Sequence, residues 1–220
     1  MSLRAILLDI DGTLVDSNDA HAAAWSEASV EFGYDRPASF FRPLIGMGGD
    51  HVLPRIDPAL KDDDNPGKAI AARRGEIFAA NYLPTLTATP GAKALVEHMK
   101  HCGLQCVVAS SAKADELDAL LAVADIRDLI DTTTTSEEAA VSKPAPNIIE
   151  TALQKAHVAA DDVVLLGDTP YDITAAARAG VLVLALRCGG WDDLALAGAL
   201  AIYDDPADLL AHYDHSALRP

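Results

Sequence analysis

The run Leu3-Arg4-Ala5-Ile6-Leu7-Leu8-Asp9-Ile10-Asp11-Gly12-Thr13 decides how the chain folds. Residues 3–10 are a short apolar run ended by a turn signal, the pattern of a strand buried in a parallel sheet. Asp9 then falls at the strand's C-terminal end, where open α/β sheets bind their ligands. Asp9 and Asp11 flank one residue, so on a strand their carboxylates point the same way. Two such groups repel each other, and the repulsion raises one pKa. A divalent cation, a hard ion that takes oxygen ligands, resolves the conflict. Gly12-Thr13 lets the chain bend sharply after the pair. Alone, the two acids also read as a solvated strand end.

Outward from that run, three further apolar stretches look alike. Residues 105–109 end at Ser110-Ser111, residues 163–166 at Gly167-Asp168, and residues 181–186 at Arg187-Cys188-Gly189-Gly190. Between them, residues 91–101, 114–124 and 147–156 carry helical spacing, and the alanine-rich stretch 172–179 is ended by Gly180, a helix-stop signal. The threonine run 132–135 reads as a strand or its flank. Strands alternating with helices predict a doubly wound, Rossmann-like α/β fold with a parallel sheet.

The interval from about Asp16 to Leu86 differs. Residues 21–32 and 68–82 are helical in pattern, no buried strand stands out, and Asp62-Asp63-Asp64-Asn65-Pro66-Gly67 is a turn. Its acids lack the spacing of a calcium-binding loop. The expected organisation is a core built from residues 1–15 and 87–220, with a small all-α domain, residues 16–86, inserted after the first strand.

The 220 residues suit one core domain with a smaller insertion, and half of them are hydrophobic, ample for a real core. Seventeen basic residues stand against 33 acidic ones, a net charge of -16. Such a surface repels nucleic-acid backbones and anionic membranes, so neither is an expected partner. It also repels an anionic small substrate, which calls for a metal or local positive charge at the site. Cys102, Cys106 and Cys188 form no disulfide framework and no zinc-site spacing, which points to a reducing cytoplasm. No targeting or membrane-spanning segment is expected. A monomer or homodimer is the expected state.

The remaining strand ends add chemistry. Asp168 follows the third apolar stretch, with Asp172 one helical turn further on; alone they also fit a helix N-cap and a first-turn acid. Ser110 follows another strand, where a hydroxyl and a helix N-terminus bind phosphate or serve as an N-cap. Lys143 stands in Ser142-Lys143-Pro144-Ala145-Pro146, where the prolines hold it on a fixed loop.

Taken in this order, the runs Asp9-Ile10-Asp11-Gly12-Thr13-Leu14-Val15-Asp16-Ser17, Val107-Val108-Ala109-Ser110-Ser111, Ser142-Lys143-Pro144-Ala145-Pro146 and Gly167-Asp168-Thr169-Pro170-Tyr171-Asp172 resemble a haloacid dehalogenase superfamily phosphatase with a helical cap after the first strand. The resemblance covers nearly the whole chain. It implies that Asp9 attacks phosphorus and forms an aspartyl phosphate. Asp11 then serves as general acid to the leaving oxygen and as base to the hydrolytic water. It also implies Mg²⁺ held by Asp9, the Asp11 backbone carbonyl, Asp168, and Asp172 directly or through water. Ser110 and Ser111 are expected to hold the phosphoryl group, and Lys143 to offset negative charge. The partner implied is a small phosphorylated metabolite.

Within the superfamily, Asp11 argues against a carbon dehalogenase, which lacks that acid. The absence of any lysine before Pro58 argues against a Schiff-base phosphonatase. A sugar-phosphate mutase resembling β-phosphoglucomutase is the closer competitor, since His21 and Trp25 resemble its cap entrance. The lysine and arginine that flank the first glycine of its cap loop are Ile45 and Gly49 here, which favours hydrolysis. The expected substrate-contacting residues of the insertion are His21, Arg42, Gly49 and Arg55, with Gly46-Met47-Gly48-Gly49 as a mobile turn. A non-catalytic binding protein on the same fold is the third reading.

Overall fold

In the first run, Ala5–Leu8 forms strand β1, and all four of its side chains are buried. This computed structural model describes residues 3–218, so the outermost limits of the predicted core, residues 1 and 220, lie outside it. The other strands are β2 (Gln105–Ala109), β3 (Thr132–Thr134), β4 (Val163–Gly167), β5 (Leu182–Leu186) and β6 (Ala201–Tyr203). They build one parallel sheet in the order β3-β2-β1-β4-β5-β6. Leu8 pairs with Val108 on one side and Leu166 on the other. The chain winds outward from β1 to β3, then crosses back to β4 and winds the other way. A crevice therefore opens at the C-terminal ends of β1 and β4, where this topology places ligands.

The chain divides into two compact units. One runs to Asp16 and resumes at Thr87; the other is Ser17–Leu86. The second unit is helical: α1 (Asn18–Glu31), α2 (Ala38–Phe41), α3 (Gly49–Ile56) and α4 (Gly67–Ile77), the last running into a π-helical turn, Phe78–Tyr82. Its interior is aromatic. Trp25 stacks on Phe41 at 6.1 Å between ring centres, and His21 stacks on Phe78 at 4.0 Å.

Helices α5 (Ala92–His101), α6 (Ala114–Val123), α7 (Asn147–Ala156), α8 (Pro170–Arg178) and α9 (Pro206–Ala211) belong to the sheet unit. Side chains alternate along each strand. Leu7, Val107, Leu165 and Val183 pack on one face with Ile148 and Ile149 of α7 and Ala175 and Ala176 of α8. Ile6, Leu8, Val108, Val164, Leu166 and Leu184 are buried on the other. Burial on both faces is why these strands read as continuous apolar runs. α8 starts at Pro170, whose missing N–H costs nothing in a first turn, and Gly180, at φ +75, lies just past its end.

Some boundaries differ from expectation. The first strand is shorter than residues 3–10, because the chain turns at Gly12 and its backbone N–H bonds the Val15 carbonyl. Gly49 begins α3 and does not lie in the Gly46–Gly48 turn. Helix α6 begins only at Ala114, with Lys113 as its N-cap, so Ser110 caps no helix. Among the described residues, no helix is long and apolar enough to cross a membrane.

Candidate active site

Each strand that ends at the crevice delivers one polar group. Asp9 follows β1 and stays in the ladder, its N–H bonding the Leu166 carbonyl at 2.9 Å. Asp168 follows β4. Asp172 sits in the first turn of α8, fixed by a capping box: Thr169 donates from its backbone N–H (3.0 Å) and its hydroxyl (2.6 Å) to Asp172 Oδ2, while Asp172 N–H donates back to Thr169 Oγ1 (3.2 Å). One carboxylate oxygen from each of these three buried acids lies within 4.8 Å of the others. Lys143, from the loop between β3 and α7, is fully buried among them. Its ammonium is 2.6 Å from Asp9 Oδ1 and 2.7 Å from Asp172 Oδ1. The Thr13 hydroxyl lies 3.1 Å from Asp9 Oδ2 and 2.9 Å from Asp168 Oδ1.

Two of these carboxylates share one ammonium with the third close by, and the imbalance shows in the ionisation of Asp9. Burial pushes the Asp9 carboxyl up to about 7; Lys143 pulls it down, and the Asp172 carboxylate pushes it further up. Burial would lower the Lys143 ammonium, but the Asp172 and Asp9 carboxylates outweigh that and raise it above its ordinary value. The lysine therefore stays charged. Buried charge of one sign is costly unless a counter-charge meets it. An all-oxygen, acidic set of this kind fits a hard divalent cation.

Residues 6–186 match the sequence profile of haloacid dehalogenase-like hydrolases. The chain belongs to that family. A phosphoglycolate phosphatase of Rhodospirillum rubrum is 30% identical over 217 residues, spanning 94% of this chain and 89% of that protein. A hydrolase from Pseudomonas syringae, known from its crystal structure, is 28% identical with a TM-score of 0.88, over 97% of this chain and 98% of that one. CbbY from Rhodobacter sphaeroides, crystallised with phosphate, is 26% identical with a TM-score of 0.79, over 94% of this chain and 96% of that one.

In this hydrolase the expected core residues Asp9, Lys143, Asp168 and Asp172 meet directly. Asp11 lies on the turn after β1, where it bridges Val15. Ser110 is buried at the end of β2, its N–H bonded to the Thr134 carbonyl and its Oγ accepting from Ala112 N–H at 3.0 Å, with Ser111 beside it. The other expected residues belong to the helical unit. His21 is buried in its stack with Phe78, and Arg42 is held by Asp19 at 2.5 Å. Arg55 is exposed on α3. Gly49 has room for a side chain, since a Cβ there would lie 3.8 Å from the Trp25 ring.

The sequence reading passed over three side chains. Thr13 stood in the opening run but was valued only as part of a turn. Thr169 takes the capping role offered to Asp168; its spacing from Asp172 is the signature of a capping box, which was visible. Arg74 places its guanidinium 5.3 Å above the Trp25 ring and Nη1 3.4 Å from His21 Nδ1, where the sequence showed only one of two adjacent arginines.

Proposed function

We propose that this chain is a Mg²⁺-dependent phosphatase that hydrolyses a small-molecule phosphate monoester through an aspartyl phosphate on Asp9. The observation that carries the reading is the buried trio Asp9, Asp168 and Asp172 around Lys143, at the C-terminal ends of the paired strands β1 and β4. Asp9 and Asp168 would hold the metal. Asp172 would act through water, because Lys143 engages one of its oxygens and Thr169 the other. Bound there, Mg²⁺ supplies the positive charge that the three carboxylates lack and that an incoming phosphate needs.

The residues of the chain divide the work. Asp9 attacks phosphorus as the bond to the leaving oxygen breaks. Its carboxylate is oriented by Lys143 on one oxygen and Thr13 on the other, so little reorganisation remains at the moment of reaction. Asp11, on the turn after β1, gives a proton to the leaving oxygen and then takes one from the water that releases phosphate. Ser110 and Ser111 hold the phosphoryl oxygens. Splitting the reaction at Asp9 replaces one hard step with two easier ones. Discrimination among phosphate esters resides in the helical unit, through His21, Arg42, Gly49 and Arg55. The three free thiols support a reducing, cytoplasmic setting.

A phosphate-release screen tests this. The panel includes phosphoglycolate, sugar phosphates, nucleoside monophosphates and β-glucose 1-phosphate, each with Mg²⁺ and with chelator. Free phosphate should appear for at least one ester, only with the metal. Conversion of β-glucose 1-phosphate to the 6-phosphate without free phosphate would establish a mutase instead, and no turnover on any ester would remove the catalytic reading.

A further inference from the structure

The turn that follows β5, Arg187–Gly189, presses on the acid at the end of β4. A Cβ placed on Gly189 would fall 1.8 Å from Asp168 Oδ2 and 2.4 Å from its Cγ. No side chain fits that gap unless Asp168 moves, and Asp168 is fully buried with its other oxygen bonded to Thr13. The carboxylate is thus wedged between a hydroxyl and a backbone. The neighbouring residue reaches the turn after β1 at the same sheet edge: Cys188 Sγ donates to the Gly12 carbonyl at 3.2 Å. On the outer side, Arg187 grips Asp193 through two nitrogens, at 2.6 and 3.0 Å, and Asp204 through a third at 2.7 Å, which fixes where the turn sits.

We infer that this turn is part of the metal-positioning machinery. Gly189 is a positioning residue that sets the angle at which Asp168 faces the cation, and Cys188 is one that ties the Gly12 carbonyl, and with it the loop carrying Asp9 and Asp11, to the same frame. The inference rests on the phosphatase reading above. A partner that orients a metal ligand typically matters ~10–100-fold in metal affinity.

Calorimetric titration of Mg²⁺ into the metal-free protein tests it without any need for turnover. Gly189→Ala should raise the Mg²⁺ dissociation constant by about 10-fold or more, while KM for the substrate at saturating Mg²⁺ stays near the parent value. Cys188→Ala should weaken Mg²⁺ binding and Cys188→Ser, which keeps a donor, should restore it; this pair decides the matter if Gly189→Ala does not fold. Parent-like affinity in Gly189→Ala, or equal affinities in the two Cys188 variants, overturns the inference and leaves the phosphatase reading intact. A parent protein that takes up no Mg²⁺ overturns both.

Discussion

Thr13 has one proton to give and two carboxylates within reach of it. Its hydroxyl lies between Asp9 and Asp168, acids 159 positions apart in the chain (168 − 9) that the fold brings to one crevice. Hydrogen bonds to charged groups are worth roughly 1.5–3 kcal/mol, and each 1.4 kcal/mol is tenfold in rate. Thr13→Val keeps the shape and deletes the donor. It should lower kcat/KM by ~10–100-fold, with Thr13→Ser recovering most of the loss; steady-state kinetics on the two variants reads this directly, and equal rates would assign the hydroxyl no role. Away from the site, burial pushes the Cys106 thiol up to about 12, with Lys100 pulling it down and Asp131 pushing it up. The folded protein keeps this proton where the unfolded chain, with an ordinary thiol near 9, has released it. The associated stability is complete below about pH 9 and is lost as pH climbs towards 12. Urea melts between pH 8 and pH 11 should show that decline, and Cys106→Ala should flatten it.

At the scale of elements, legibility followed burial. β1 and β4 are covered on both faces, as are β2 and β5 after their first residues, so each shows as an apolar run, and α7 was located to the residue. β6 has three half-buried residues at the edge of the sheet and carries no such signal. The helices α2 and α3 were likewise missed, one because it is four residues long and the other because it contains Pro54. β3 was only half legible, since its threonines fit a strand or a loop equally. One of them is costly as it stands. Thr134 is fully buried, and its hydroxyl has no hydrogen-bond partner among the described residues. Thr134→Val should therefore raise unfolding stability by about 1 kcal/mol, measured by chemical denaturation; a destabilised variant would mean that the hydroxyl is satisfied after all.

Across the whole molecule, the site was more legible than its specificity. Asp9, Lys143 and the Asp168–Asp172 pair lie far apart in sequence, yet a parallel sheet has one C-terminal edge, and residues placed after strands must collect there. Thr13 and Gly189 were harder to value, because a hydroxyl shared by two acids and a backbone wedged against a carboxylate exist only in three dimensions. The helical unit, Ser17–Leu86, gave up least. His21 and Arg74 are adjacent only through the meeting of α1 and α4, which no local pattern announces. The net charge of -16 repels an anionic substrate, and under the proposed reading the buried Lys143 and a cation held by the acidic trio would offset that repulsion locally.

The central claim is that Asp9 is the nucleophile of a metal-assisted phosphoryl transfer. Phosphate release from p-nitrophenyl phosphate in saturating Mg²⁺, compared between the parent and Asp9→Asn, tests it most directly. The parent should turn over, and the variant, folded to the same degree by circular dichroism, should be slower by at least about 1,000-fold. An Asp9→Asn protein that releases phosphate at a rate near the parent's would contradict the account.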